Sequence, residues 1–531
     1  MSAGPPSAPA SAQPDVSRRG GPRSAWLRRL CALLAGAALT AAFAPHDLWW
    51  LATLAPAAML LLWRGAPTPR EGALLGLWFG LGLYSTGTWW LYISIRVFGQ
   101  APIWVALLVM AALVLIMSAY QAGLGYAVVR WLAPRSAAGA LLIVPAAWVF
   151  VEWWRGWFLS GFPWLSLGYS QTDTWLAGLA PLGGVHLVSL VLLMGAGALI
   201  LLWRERLALR ALALVVLVLP WTTGLALRDR AWTTPAGAPL SVAILQGAIP
   251  QDMKWLVTNQ QNILDEYARL HAQALGAQLI LWPESALPDI ANVYPKYIGA
   301  LWSAARERHS AVLMGVMRAE QQDGDSDDLY FNSLLAMDTG EAEPAFYDKR
   351  HLVPFGEYFP VPQWVRNWLR LMNLPHSDFT PGKAGQGPLQ LAGQRISASI
   401  CYEDAFPAQL RAATAASTLL ATVTNDAWFG HSGARYQHLQ ISRMRALESR
   451  RPLLRAANDG VSALIDAWGR TTLTAPEFQA SVLRGTVQPR SGLTPYLALG
   501  DWPVIGVAFV LLCVVALRHL KKGLQASIKN H

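Results

Sequence analysis

Arg395-Ile-Ser-Ala-Ser-Ile-Cys401-Tyr-Glu-Asp404 is the stretch around which the chain is organised. Ile396, Ala398 and Ile400 alternate with small polar residues, the period-two pattern of a strand. The strand runs straight into Cys401, and Pro407 suits the first turn of a following helix. A cysteine on a sharp strand-to-helix turn is held exposed beside backbone N–H groups, which is how a nucleophile is presented to a carbonyl carbon. Taken alone, the window favours a buried structural cysteine. The rest of the chain reverses that reading.

Of 531 residues, 54% are hydrophobic, 14% are charged and 26 are Trp, an apolar excess that points to a membrane protein. The net charge of +10 would suit nucleic acid, but Arg and Lys sit mostly at the ends of apolar runs. There they read as orientation signals, and nucleic acid is set aside as a partner. Cys31 and Cys513 lie in apolar runs, which leaves Cys401 alone in the polar region without a disulfide framework.

Residues 1–25 are rich in Pro, Ala, Ser and Gly and are expected to form a disordered cytoplasmic tail. The run from Leu30 to Ala44 resembles a signal peptide, but Pro45 directly after Ala42-Phe-Ala44 disfavours cleavage. It reads as a first span. Further apolar runs at roughly 48–63, 72–94, 102–129, 138–155, 184–203, 208–226 and 503–518 bring the expected spans to eight. Basic residues precede span one and recur at Arg64 and Arg70, Arg130 and Arg135, Arg204, Arg206 and Arg210, and Arg518, Lys521 and Lys522. These are alternate junctions, so the positive-inside rule puts them and both termini in the cytoplasm of an inner-membrane protein. Spans one to seven then fill a membrane domain at 26–232, a polar periplasmic domain fills 233–500, and the eighth span with a tail fills 501–531. Between spans five and six, Glu152 and Arg155 have helical i,i+3 spacing and are expensive near hydrocarbon unless paired or functional. Trp153, Trp154, Trp157 and Trp164 read equally as an interfacial belt or as a surface that shapes substrate.

In the polar region, strands are expected at 240–245, 278–282, 311–318, 329–337, 418–424, 460–466 and 481–488, besides the one ending at Cys401. Helices are expected at 259–275, 295–309 and 436–450. Strands alternating with helices argue for a layered α/β sandwich. The loop from Asp323 to Asp328 resembles a calcium loop, but Asp328 stands where Gly is needed and Leu334 where Glu is needed. His431 and His438 have no companion ligands, so no metal site is expected. Trp364, Trp368, Leu371 and Met372 share one helical face, suited to core packing, an oligomer surface or a lid that dips into lipid.

Glu284 and Cys401 each follow the C-terminal end of an expected buried strand, and Lys349 follows a short apolar one. Reacting groups in α/β sheets gather at that edge. A thiol needs a base, no His occupies such a position, and a carboxylate with a raised pKa can do that work. Lys349 would hold Glu284 and, with the N–H of Tyr402, stabilise the oxyanion of a tetrahedral intermediate.

Glu284, Lys349 and Cys401, in this order and context, resemble the nitrilase superfamily. Phe43-Ala-Pro45, Gly161-Phe-Pro-Trp-Leu-Ser-Leu-Gly-Tyr-Ser-Gln171 and Val423-Thr-Asn-Asp-Ala-Trp-Phe-Gly430 extend the likeness, which over about 26–518 is to the apolipoprotein N-acyltransferase family. The resemblance implies a nitrilase-like α-β-β-α sandwich joined to a multi-span helical membrane domain, with no cofactor and no metal. It implies Glu284 as general base, Lys349 as electrostatic partner and Cys401 as nucleophile, with supporting roles for Trp255, Glu357, Tyr402 and Glu403. The implied reaction moves the sn-1 acyl chain of a phospholipid, usually phosphatidylethanolamine, onto Cys401. The chain then passes to the α-amine of an S-diacylglyceryl cysteine that begins an apolipoprotein. A membrane-tethered amidase or nitrile hydrolase, and a transporter or sensor with an inactive domain, are the alternatives. The eight expected spans, with the apolar segment at 352–375, argue against the first and the intact triad against the second.

Overall fold

The computed structural model describes residues 22–321, 328–340, 343–358 and 379–529. The loop Asp323 to Asp327 and the aromatic face of Trp364, Trp368, Leu371 and Met372 lie outside the described residues.

Helices open the chain: α1 (Pro22–Thr40), α2 (Leu51–Gly65), α3 (Pro69–Gly87), α4 (Ile103–Arg130), α5 (Val144–Arg155), α6 (Ala180–Arg204) and α7 (Leu207–Arg228). Thr68 starts α3 by accepting from the Glu71 N–H, with Pro69 at the first helical position. Small residues let α3 press on its neighbours. A Cβ at Gly76 would sit 2.0 Å from the Gln121 carbonyl oxygen of α4, and one at Gly82 2.0 Å from that of Leu33 in α1. Among the described residues, Ile103–Arg130, Trp175–Trp203, Leu207–Arg228 and Trp502–Lys522 are four helical segments long and apolar enough to cross a membrane.

A short pair, β1 (Thr234–Pro235) with β14 (Arg490–Ser491), closes the neck of the polar region. Two six-stranded sheets follow. The first contains β2 (Leu240–Gln246), β3 (Leu279–Leu281), β4 (Ala311–Glu320), β5 (Leu329–Met337), β6 (Ala345–Asp348) and β13 (Ser481–Val487), in the order β13-β2-β3-β4-β5-β6. The second contains β7 (Leu389–Leu391), β8 (Gln394–Ile400), β9 (Leu419–Thr424), β10 (Leu453–Ala457), β11 (Ala463–Ile465) and β12 (Thr471–Thr474), in the order β12-β11-β10-β9-β8-β7. Strands β2, β3 and β4 run parallel in one sheet, and β8, β9 and β10 in the other.

Alternation decides which face each side chain joins. Val242, Ile244, Leu279 and Leu281 meet Ile396, Ala398, Ile400, Ala421 and Val423 in a dry layer between the sheets. Ala243, Leu245, Ile280 and Trp282 face outward and pack under α8 (Gln260–Ala274) and α9 (Pro295–Glu307). The other sheet is covered by α10 (Pro407–Ala416) and α11 (Ala434–Ser449), so the order is helix, sheet, sheet, helix. Ile441, Met444 and Leu447 of α11 also belong to the core built by the first seven helices, so one helix serves both parts. A short α12 (Pro495–Leu499) and the terminal α13 (Trp502–Lys529) return the chain to the helical part.

Helix α3 ends at Gly87 instead of continuing to 94, and β1, β7, β10, β12 and β14 are strands the alternation did not announce. Arg455 lies in the middle of β10, fully buried, where periodicity alone would place an apolar residue. Glu152 and Arg155 do not pair with one another. Arg155 donates to the Trp164 carbonyl at 2.8 Å and to Ser166 Oγ at 3.1 Å, while Glu152 Oε1 accepts from the Leu167 N–H at 3.2 Å. Both charges therefore hold the loop after α5 in shape.

Candidate active site

The C-terminal ends of the parallel strands converge where the two sheets meet. Cys401 follows β8 directly with φ +51°, a left-handed conformation that turns the chain sharply into the tight turn Cys401–Ala405. Across from it, Ile400 pairs with Val423, which brings Thr424 and Asn425 beside the thiol. Glu284 follows β3, and Lys349 follows the edge strand β6.

These groups form one buried cluster. Lys349 Nζ lies 3.5 Å from Glu284 Oε1 and donates to Glu357 Oε1 at 2.9 Å. Asn332 Nδ2 bridges the two carboxylates, at 2.7 Å to Glu284 Oε1 and 2.8 Å to Glu357 Oε1. The second Glu284 oxygen accepts from the Asn425 N–H at 2.8 Å, so the carboxylate is clamped from both sheets. Burial alone would discharge the Lys349 ammonium, but the charges of Glu357 and Glu284 outweigh it and raise its pKa. Burial, and next the Glu284 charge, push the Cys401 thiol well above the usual range, against the opposing pull of Lys349. Cys401 therefore rests as a thiol, and any attack by its sulfur requires a base to remove that proton.

Glu403 braces the backbone beneath. Its Oε1 accepts from the N–H groups of Arg350 (2.7 Å) and His351 (3.2 Å), and its Oε2 from the Ile400 N–H (2.9 Å) and the Tyr347 hydroxyl (3.1 Å). One carboxylate thus ties the segment after Lys349 to the residue before Cys401. Tyr402 points away from the thiol into the helical part, where its hydroxyl donates to the Gly161 carbonyl at 3.1 Å and its ring stacks on Trp164. Trp255 lies at the rim, with the Lys254 ammonium 5.3 Å from its ring centroid. All seven residues singled out in the sequence belong to this region: Glu284, Lys349, Glu357 and Cys401 at its centre, Glu403 and Tyr402 behind the nucleophile, and Trp255 at the edge.

Residues 35–198 match the apolipoprotein N-acyltransferase N-terminal domain family, and residues 241–496 match the carbon-nitrogen hydrolase family. The apolipoprotein N-acyltransferase of Azotobacter vinelandii is 44% identical over 501 residues, covering 93% of this chain and 96% of that protein. That of Pseudomonas putida is 43% identical, covering 92% and 96%, and that of Chromobacterium violaceum is 41% identical, covering 93% and 94%. The chain belongs to the apolipoprotein N-acyltransferase family.

The three stretches that carried the resemblance to apolipoprotein N-acyltransferases are far apart in sequence and adjacent in space. A Cβ on Gly433 would lie 2.8 Å from Pro45, the Ala44 N–H donates to Gln440 Oε1 at 3.3 Å, and Trp164 Nε1 donates to Gln437 Oε1 at 2.7 Å. Phe429 packs against both Trp90 and Trp164. The helical part and the sandwich therefore meet directly behind Cys401.

Sequence reasoning missed three contributors. Asn332, between Glu284 and Glu357, lies on β5, where nothing in the alternation marks it. Lys254 is buried, reaches the Glu284 carbonyl oxygen at 3.5 Å and is pushed down to about 8 by that burial. The third is His438. The sequence offers it only as a metal ligand, and no group of three potential ligands forms among the described residues. It lies instead beneath Cys401, between Asp404 and Asp426. A buried polar stripe on α11, comprising Gln437, His438, Ser442 and Arg445, was the available signal.

Proposed function

We propose that this chain is a phospholipid:apolipoprotein N-acyltransferase that works by a ping-pong exchange through a thioester on Cys401. The observation that carries the reading is a half-buried Cys401 thiol set against a clamped Glu284–Lys349–Glu357 cluster in a chain of long apolar helices. Glu284 takes the Sγ proton as the sulfur attacks the sn-1 ester carbon of a phospholipid, phosphatidylethanolamine in the usual case. The carbonyl electron pair moves to oxygen, where the Tyr402 N–H and the Lys349 ammonium stabilise it. As the oxyanion collapses, Glu284 returns the proton to the departing glycerol oxygen, leaving a lyso-phospholipid and the thioester. The α-amine of an S-diacylglyceryl cysteine then attacks the thioester carbon. Glu284 accepts the amine proton, and Cys401 leaves and is reprotonated. No cofactor or metal takes part. Glu357 fixes Lys349, Glu403 fixes the turn that presents Cys401, the Tyr402 side chain anchors that turn to the helical part, and Trp255 contributes at the rim.

Both substrates are anchored in a bilayer, which accounts for the attached helices. Eight spans, a tail over 1–25, a membrane domain over 26–232, a periplasmic catalytic domain over 233–500 and cytoplasmic termini complete the proposal. The arginine-rich junctions support that orientation. The decisive test is the mass of the intact protein purified with lipid. The wild type should carry one added acyl chain that neutral hydroxylamine removes and a diacylated lipopeptide with a free amine discharges, while Cys401→Ala should carry none. An adduct on Cys401→Ala would refute the thioester. Rapid discharge by water without preference for the lipopeptide would assign a hydrolase instead.

A further inference from the structure

His438 of α11 is buried directly under the nucleophile, and both of its ring nitrogens face acceptors. Nδ1 lies 2.9 Å from Asp426 Oδ1, and Nε2 lies 3.2 Å from both Asp404 Oδ1 and the carbonyl oxygen of Cys401. A neutral imidazole has one donor and one acceptor nitrogen, so only the imidazolium satisfies this arrangement. The surroundings balance its charge. Arg455 Nη2 donates to Asp426 Oδ2 at 2.7 Å, and its Nη1 donates to Ser442 Oγ, which in turn donates to Asp404 Oδ2. Two carboxylates thus face two cations in a sealed group. The rings of Trp164 and Phe429 cover the imidazole on its open side. Burial and Arg455 favour loss of the ring proton, but Asp404 and Asp426 outweigh them and push the group up to about 9.

The carbonyl of Cys401 and the N–H of Tyr402 belong to one peptide unit. A cation that donates to the carbonyl withdraws electron density through the amide and makes that N–H a stronger donor, since linked hydrogen bonds polarise one another. It also fixes the plane of a peptide that begins at an unfavourable positive φ. We propose that His438, held as an imidazolium by Asp404 and Asp426, is a positioning residue that orients and polarises the Cys401–Tyr402 peptide so that its N–H serves as the oxyanion donor of acyl transfer. This inference rests on the thioester reading given above.

A thioester made from a donor lipid labelled with carbon-13 at the acyl carbonyl reports the strength of that donor through its infrared stretching band. In His438→Gln, which keeps hydrogen-bonding capacity and loses the charge, the band should move to higher frequency. The kcat for transfer should fall by about tenfold with KM for the lipopeptide unchanged, less than the ~10²-fold typical when an oxyanion donor is removed outright. An unchanged band overturns the role whether or not kcat falls, because a purely structural contribution would slow turnover without touching the carbonyl. Absence of any thioester band in the wild type would remove the thioester reading and this inference with it. If His438→Gln does not fold, the wild type supplies the answer through cysteine labelled with carbon-13 at its backbone carbonyl. After subtraction of the Cys401→Ala spectrum, a Cys401 band below those of Cys31 and Cys513 supports the polarisation, and a coincident band overturns it.

Discussion

Lys349 separates Glu284 from Glu357, and its removal would leave two buried carboxylates joined only through Asn332. Like charges so placed cannot both stay ionised without cost. Lys349→Met should therefore lower single-turnover acylation by about 10²-fold or more, measured as thioester formed on mixing with donor lipid. Glu284→Gln should be at least as severe, because an amide cannot take the thiol proton and Cys401 does not give it up unaided. Near-normal thioester formation in either variant would remove the assigned role. Glu403 predicts a different signature. Its two oxygens accept four hydrogen bonds, so Glu403→Gln places an NH2 donor against donors and should destabilise by about 2–3 kcal/mol, seen as a lower midpoint of thermal unfolding in detergent. At this scale the triad was legible because each residue follows a strand, and strand ends are readable from alternation. Asn332 and Lys254 were not, because no local pattern distinguishes a polar residue that pairs across 48 positions, as Asn332 does with Glu284, from one that is solvated. For His438 the polar stripe on α11 was a signal, but one that does not say what the stripe meets.

Helix α11 is the element on which the two parts of the molecule depend. Trp164→Ala would remove the bond to Gln437 and the ring packed against Phe429 and Tyr402, a change expected to cost about 3–5 kcal/mol. The unfolding midpoint should fall accordingly; an unchanged midpoint would mean the interface does not rest on that ring. The same helix carries a pH dependence. His438 stands at about 9 in the folded chain against 6.5 when exposed, so the folded form binds the extra proton more tightly. Its contribution is complete below pH 6.5 and lost as pH rises through about 9. Unfolding midpoints measured across that interval should decline in the wild type, and the decline should flatten in His438→Gln. The limits of α8 and α9 fell within a few residues of expectation, since amphipathic helices advertise themselves by period. Strand β10 did not, because its central Arg455 is neutralised by Asp426 from another strand end, a pairing that exists only after folding.

For the whole molecule, the basic junctions predict that a cytoplasmic reporter fused after His531 is active and that a periplasmic reporter inserted near Asp325 is active. Both reporters falling on one side would overturn the orientation. Chain composition by itself determined that this protein has long apolar helices and a separate α/β layer, because the hydrophobic effect and the strand period act residue by residue along the chain. The order Glu284, Lys349, Cys401 and the motifs near Pro45, Trp164 and Trp428 were likewise legible, as was the family to which they point. Only the tertiary structure decided what those motifs do to one another. It showed that Glu152 and Arg155 hold a loop instead of pairing, that Tyr402 turns toward the helices, and that α11 lies between sheet and membrane core. It also placed the His438 ring under the Cys401 peptide. Such facts depend on side-chain distances that chain order does not fix, between residues as near as Arg155 and Trp164 or as far as Tyr402 and Gly161. Burial turns those distances into energies that no local pattern encodes.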